Sequence, residues 1–288
     1  VTGTNGTTVH HQIYRWDRAT GEIVLVSPNS TDTNGGSGQS YDPTISADGQ
    51  RIAFHTQATN LVAGITDANG TYDVYLRDFS AGSPTTVLVS HTAASATTTG
   101  NSYSQSPQIS RDGSRVVYWT YATDLETGVS DSNGADLVVF GVSGGTNEYV
   151  SVETAAATSG NAAASRTNQS LSADGRYEVF ASSASDLVSG DANGTTDVFL
   201  RDLQTGATTL ISHTASGGSG NYASDAAVIS ADGNFVAFHS YATNLHVTGT
   251  NGTTVHHQIY RWDRATGEIV LVSPNSTDTN GGSGQSYD

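Results

Sequence analysis

The stretch "PTISADGQRIAFHTQATNL" (Pro43–Leu61) returns three more times. It reads "PQISRDGSRVVYWTYATDL" from Pro107, "QSLSADGRYEVFASSASDL" from Gln169 and "AVISADGNFVAFHSYATNL" from Ala227. Each copy sets a turn signal, S-x-D-G, before a short run of alternating apolar and polar residues, the pattern of a β-strand entered from a tight turn. The starts lie 64, 62 and 58 residues apart, and from Ala227 to Asp288 is another 62. A period of this size means stacked supersecondary units, so it is read before any local structure.

The four lengths make 246 residues, and 246 also separates Val1 from Val247. Residues Val1–Asp42 and Val247–Asp288 are identical at all 42 positions. The organisation that follows is a partial unit at 1–42 and whole units at 43–106, 107–168, 169–226 and 227–288. Two origins fit the duplication: a segment copied by design, or a window onto a chain in which the block recurs. A start inside a loop favours the second.

Within a unit the signals are those of four strands. In the third, "RYEVFAS" sets Tyr177, Val179 and Ala181 against Glu178 and Phe180, "DVFLRD" from Asp197 is the next strand, and "ATTLIS" from Ala207 the last. No twelve-residue stretch has helical periodicity. The expected class is all-β: a β-propeller of four-stranded antiparallel blades of about 60 residues. Five blades with one incomplete, an unclosed continuing array, and an eight-bladed ring from two blocks all remain open. Phe54, Tyr118, Phe180 and Phe238 hold one place in the repeat, Tyr75, Phe199 and Tyr260 another, and all are expected in the core.

The phrases "ISADGNFVAFHSYATNL" and "GDANGTTDVFLRDLQTGATTLIS" resemble the TolB-like, WD40-like β-propeller repeats of secreted bacterial proteins. The resemblance covers essentially the whole chain and implies four antiparallel strands per blade. It implies little about function, since propellers serve as lectins, adhesins, scaffolds and enzymes alike. The units exceed the roughly 40 residues usual for such blades, so loops carry the excess.

Composition narrows the partners. The chain has 27 acidic and 11 basic residues, a formal charge of -16, and every basic residue is Arg. Such a surface repels a phosphate backbone, so nucleic acid is not expected. Cysteine and methionine are absent, which excludes disulfides and thiol chemistry and suits an extracellular or cell-surface setting. No apolar run approaches a membrane span.

The candidate chemistry lies between the second and third strands of a unit. There "DANGTYD" (Asp67), "DSNGAD" (Asp131) and "DANGTTD" (Asp191) offer oxygen ligands at alternate positions around a glycine, as a calcium loop does. The expected ligands are Asp67, Asn69 and Asp73; Asp131, Asn133 and Asp136; and Asp191, Asn193 and Asp197. An ordinary Asx turn explains the same letters without metal. The fourth unit has Gly249 and Gln258 at the places of the aspartates and is not expected to bind calcium this way.

His256 and His257, with their copies His10 and His11, point to opposite faces of a strand and make a poor metal pair. Sequons stand at Asn5, Asn29, Asn69, Asn168, Asn193, Asn251 and Asn275, and are glycosylation acceptors if the source glycosylates. No G-x-S-x-G, H-E-x-x-H or unique carboxylate pair is present, so an enzyme is not expected. The reading is an extracellular structural or adhesive repeat protein, self-associating head to tail through its incomplete blade. The alternative is a carbohydrate-binding module using Tyr103, Tyr121, Tyr222 and Tyr241.

Overall fold

The structure, a computed structural model, describes residues 10–131, 134–153, 158–245 and 256–273. These contain β-strands and turns and no α-helix, hence no helix long and apolar enough to cross a membrane. The candidate residues Asn5, Asn133, Asn251 and Asn275 lie outside them. The chain divides into two compact units, Val1–Gly128 with Leu137–Tyr149, and Val129–Asp136 with Val150–Asp288.

In the first unit, β1 (Tyr14–Trp16) and β2 (Ile23–Leu25) form a two-stranded sheet. A four-stranded meander follows: β3 (Ser40–Ile45), β4 (Arg51–Thr56), β5 (Asp73–Asp78) and β6 (Thr85–Leu88). A small hairpin, β7 (His91–Thr92) and β8 (Ser95–Thr99), precedes a second meander of β9 (Ser104–Ile109), β10 (Arg115–Thr120), β11 (Asp136–Gly141) and β12 (Thr146–Tyr149). The second unit holds β13 (Ala164–Ser165), β14 (Tyr177–Ser182), β15 (Asp197–Asp202) and β16 (Ala207–Leu210) in one sheet. Its other sheet is β17 (Ser224–Ile229), β18 (Phe235–Ser240), β19 (Gln258–Asp263) and β20 (Ile269–Leu271). Every pairing between neighbouring strands is antiparallel and follows chain order, the strand order of a propeller blade.

The S-x-D-G phrase builds the turn between first and second strands. Ser46 Oγ donates to Asp48 Oδ1 at 2.6 Å and accepts from Arg51 N at 3.0 Å, while Gln50 N donates to the same carboxylate at 2.9 Å. Gly49 sits at φ 71°, where a side chain would be strained. Ser230, Asp232 and Gly233 repeat the geometry, with φ 70°. The Ser46 hydroxyl and then the Gln50 amide hold the Asp48 carboxyl below its ordinary pKa. The turns also stack: Ala47 N donates to Arg111 O at 2.7 Å in the first unit, and Ala173 N to Ala231 O at 2.8 Å in the second.

The aromatic places of the repeat are core, as their spacing predicts. Phe54, Tyr118, Phe180, Phe238, Tyr75, Phe199 and Tyr260 are all buried. Ring pairs Phe54–Tyr75, Phe180–Phe199 and Phe238–Tyr260 stack at 6.4, 5.6 and 5.7 Å. In β14 all six residues are buried, so the alternation of "RYEVFAS" does not separate a core side from a wet side.

A second device is repeated. Gly36, Gly100, Gly160 and Gly220 each lie against the Ala and Leu that end the phrase. A Cβ on Gly100 would come within 2.8 Å of both Ala122 Cβ and Leu125 Cδ2, and one on Gly220 within 2.9 Å of Ala242 Cβ. The backbone there can approach only because no side chain intervenes. Gly100→Ala is therefore expected to overpack the contact and cost about 1–3 kcal/mol, read as a lowered midpoint in denaturant melts.

Candidate functional site

The Asp-x-Asn-Gly loops fold as Asx turns. Asp67 Oδ1 accepts from Asn69 N at 3.1 Å and Gly70 N at 2.7 Å, and Asn69 Oδ1 accepts from Thr71 N at 2.8 Å. The Asn69 amide then turns its nitrogen inward, donating to Gly100 O, Ser102 O and Asp73 Oδ1 at 2.7, 3.1 and 3.2 Å. Asn193 does the same, to Asp197 Oδ2 and Gly220 O, both at 2.7 Å. The loops thus bring Asp67, Asn69 and Asp73 together, and likewise Asp191, Asn193 and Asp197, with an N–H group directed at the second carboxylate of each. In the remaining loop Asp131 accepts from Ser159 Oγ at 3.0 Å, and Asp136 lies close to it. Among the described residues no three His, Cys, Asp or Glu side chains gather as metal ligands.

The third loop differs in one respect. Asp191 is buried, with Ser219, the Asn193 amide and Asp197 near its carboxylate but none in full hydrogen-bond geometry. Burial raises its pKa, an effect that nearby Ser219 eases.

The second aspartate of each loop has a partner that spacing did not reveal. Ser90, Ser151 and Ser212 follow the fourth strand, and their hydroxyls donate to Asp73, Asp136 and Asp197 at 3.0, 2.5 and 2.6 Å. Ser90 and Ser212 also accept the amides of Val74 and Val198. Burial pushes each of the three carboxyls up to about 7. The unit that departs from the pattern keeps the latch with a neutral acceptor: Ser27 donates to Gln12 Oε1 at 2.6 Å, and Ser273 to Gln258 Oε1 at 2.8 Å. These residues tie the ends of two strands together whether or not a metal is near.

The sequons fall in unlike places. Asn168 is exposed, whereas Asn69 and Asn193 already commit their Nδ2 atoms to backbone carbonyls, and Asn29 is half-buried with Oδ1 accepting from Thr33 N.

The duplicated segment occupies two environments. In the second unit Tyr260, Trp262 and Ile269 are 0, 4 and 0% exposed, packed with Tyr177, Val179, Val198 and Leu200 of the neighbouring sheet. In the first unit the same letters at Tyr14, Trp16 and Ile23 are 41, 62 and 41% exposed. The opposite face of β1–β2 is covered: Ile13 and Val26 join Ile52, Phe54, Tyr75 and Leu88, and Arg15 lies 4.1 Å over the Phe79 ring. One face of the β1–β2 hairpin is therefore exposed at Tyr14, Trp16 and Ile23.

A cavity of about 420 Å³ opens in the second unit, lined in part by Arg166, Thr167, Asp225, His239 and His257. It exists because the third repeat is irregular. Two extra residues precede Gln169, the first strand shrinks to Ala164–Ser165, and small Ala181 stands where His55, Trp119 and His239 stand elsewhere. Behind it Glu178 is fully buried and its oxygens make no hydrogen bond. Its place in the other repeats is Ile52, Val116 and Val236, and aligning the four phrases would have exposed it. Burial pushes its carboxyl up to about 7, against the pull of Arg166. His257 sits 3.6 Å from the Tyr241 ring and 5.4 Å from His239, and burial lowers its pKa. In the first unit, larger side chains fill the corresponding place: Tyr103, Trp119 and Tyr121 cluster with centroids 4.7–6.0 Å apart.

No family model matches the chain, and no curated protein does. Similar solved structures are TolB and other propeller-bearing proteins. TolB of Acinetobacter baumannii is 16% identical at a TM-score of 0.40, covering 96% of this chain and 52% of its own. The putative TolB of Agrobacterium tumefaciens is 16% identical at 0.45, covering 93% and 72%. A puromycin-hydrolyzing peptidase of Mycobacterium tuberculosis is 14% identical at 0.42, covering 88% and 31%. The chain thus spans about half the length of the first of these, and the likeness is one of fold.

Two outcomes are expected from this geometry. Ser212→Ala strips partners from the Val198 amide and from Asp197 together, and should cost about 1–3 kcal/mol in a denaturant melt. Glu178, with its folded pKa raised from 4.5 to about 7, holds its full contribution below the unfolded value and loses it as pH rises through the folded one. Its share of stability should fall between these limits by roughly 3 kcal/mol, and Glu178→Gln should make the slope in melts across pH shallower by that share, leaving the shares of Asp73, Asp136 and Asp197.

Proposed function

We propose that the chain is a non-catalytic structural or adhesive module of an extracellular repeat array, whose copies join head to tail through the half-sheet β1–β2. One observation carries the reading: the face bearing Tyr14, Trp16 and Ile23 is wet, while the same sequence at Tyr260, Trp262 and Ile269 is core. An exposed apolar face invites a partner, and head-to-tail contacts that do not close propagate into filaments. The absence of catalytic motifs from the sequence and the use of buried aspartates in serine latches support a scaffold over an enzyme.

Calcium-stabilised loops are the second element of the proposal. Asp191 favours the third loop, since its carboxylate is buried and less well satisfied by well-formed hydrogen bonds than that of Asp67. Asp191 and Asp197 would hold the ion. A carbohydrate-binding alternative has one favourable feature, the Tyr103–Trp119–Tyr121 ring cluster, which offers stacking surface.

The twin tryptophans test the main reading. Sedimentation of the full chain should show mass rising with concentration. Trp16→Asp should abolish that rise while leaving stability within about 0.5 kcal/mol, whereas Trp262→Asp should destabilise by about 3 kcal/mol or more. A chain that stays monomeric at every concentration overturns the reading. For the calcium element, a thermal melt should shift upward with the ion and return with chelator, and Asp191→Asn should remove the shift; no shift ends that element.

A further inference from the structure

The cavity in the second unit lies at a place that an imidazole fills in the first. There His55 Nδ1 accepts the amide of Ser106 at 3.3 Å, and Ser106 sits in the bulge of β9 with φ 51°. Its counterpart in the bulge of β17 is Ala226, with φ 48°. A similar φ in the same bulge aims the two amides alike. The counterpart of His55, however, is Ala181, and both alanines line the cavity of about 420 Å³. Where the first unit offers an acceptor, residue 181 offers a methyl group.

A strong donor enters the same space. Arg166, from the insertion in the third repeat, lines the cavity. Its guanidinium carries five N–H donors in a fixed fork, one of which donates to Thr167 O at 3.3 Å. Glu178 attracts it from behind, and Glu178 stands in the place of Ile52, Val116 and Val236. Insertion, shortened side chain and buried carboxyl thus fall together in one repeat, around one space. A buried Arg–Glu pair contributes little to stability compared with the aliphatic packing it replaces, so packing does not account for the combination.

The lining also limits what could bind. Asp225 faces the cavity 3.8 Å from His239, and burial lowers the pKa of His257. Arg166 is then the one permanent cation among the lining residues, which suits a single negative charge. A phosphate dianion would meet Asp225 as well, in a chain of formal charge -16. A second cavity of about 560 Å³ shares Thr167, Ala226 and His239 with the first and is walled by Val228, Ala237, Phe238 and Ile259. An apolar chamber with a few polar groups at one end is the make-up of a small-molecule site.

We propose that the two cavities form one binding site for an organic monocarboxylate with an apolar body, such as an arylalkanoate. The carboxylate takes the place of the His55 imidazole as acceptor, between the Arg166 guanidinium and the Ala226 amide, and the body lies against Val228, Ala237 and Ile259. The site takes a small ligand and is independent of whether copies of the chain join.

Isothermal titration of the full chain with hydrocinnamate tests the site. One hydrocinnamate is expected to bind per chain. Its amide, which has the same body without the charge, and phenyl phosphate should each bind at least about tenfold more weakly. Ala181→His restores the side chain that the first and fourth repeats carry at that place, and should abolish binding because the chain then supplies its own acceptor. Arg166→Gln in a Glu178→Gln background removes both charges and leaves no buried carboxylate unmatched; it should bring hydrocinnamate down to the affinity of the amide. One variant adds a side chain and the other removes charges, so if a melt shows that either fails to fold, the other decides. The proposal is overturned if hydrocinnamate does not bind, if it binds no tighter than the amide or the phosphate, or if it binds at full strength to whichever variant folds.

Discussion

Each four-stranded sheet in this protein carries apolar and aromatic side chains on both of its faces, and a sheet of that kind is stable only with a neighbour on each side. The demand is visible in β14, where six consecutive residues are buried, and in the stacked rings Phe180–Phe199 and Phe238–Tyr260. Burial of that kind is the main favourable term in folding, and it is obtained here between sheets as much as within them. The smaller devices keep the neighbours in step. Gly100 and Gly220 let backbone lie on an Ala–Leu pair, the S-x-D-G turns stack through their amides, and the serine latches fix where the third and fourth strands end.

That demand goes unmet in two places. In β1–β2, Tyr14, Trp16 and Ile23 face water although the same sequence at Tyr260, Trp262 and Ile269 is core. At the third repeat the sheet is present but irregular, and the first strand breaks where Arg166 and Thr167 are inserted. There a cavity replaces the aromatic filling seen around Trp119, and a buried carboxylate, Glu178, stands in an aliphatic place. The two places differ in kind: the first is an exposed apolar surface, the second a cavity with Arg166, His239 and His257 in its lining.

Much of this was legible in the letters. Phe54, Tyr118, Phe180 and Phe238 recur at one phase of a sixty-residue period, and a phase that always holds a ring is a core position in any stacked architecture. The four-strand division of the third unit was equally plain, because Gly and Asp mark its turns. The Asp-x-Asn-Gly loops were found, and the Asx turn was one of the two readings weighed for them; the inward turn of the Asn amide was not foreseen. Whether an Asn directs its oxygen or its nitrogen at a carboxylate depends on which acceptors lie nearby, and Gly100 O and Ser102 O lie some thirty residues away in sequence. The serine latch was hidden for a related reason: in a chain so rich in serine, nothing local sets Ser90 or Ser212 apart. Its clearest trace is Gln12 and Gln258 at the aspartate place, a neutral side chain that makes the same hydrogen bond.

The repeated segment also gives the molecule an internal control that few proteins have. Tyr14–Leu25 and Tyr260–Leu271 share every intrinsic preference, every local turn and the same unfolded state, and each forms the same two-stranded pairing. Any difference in how fast their amides trade hydrogen with solvent must come from the surroundings alone. One chain thus separates what a β-hairpin owes to its own letters from what it owes to company.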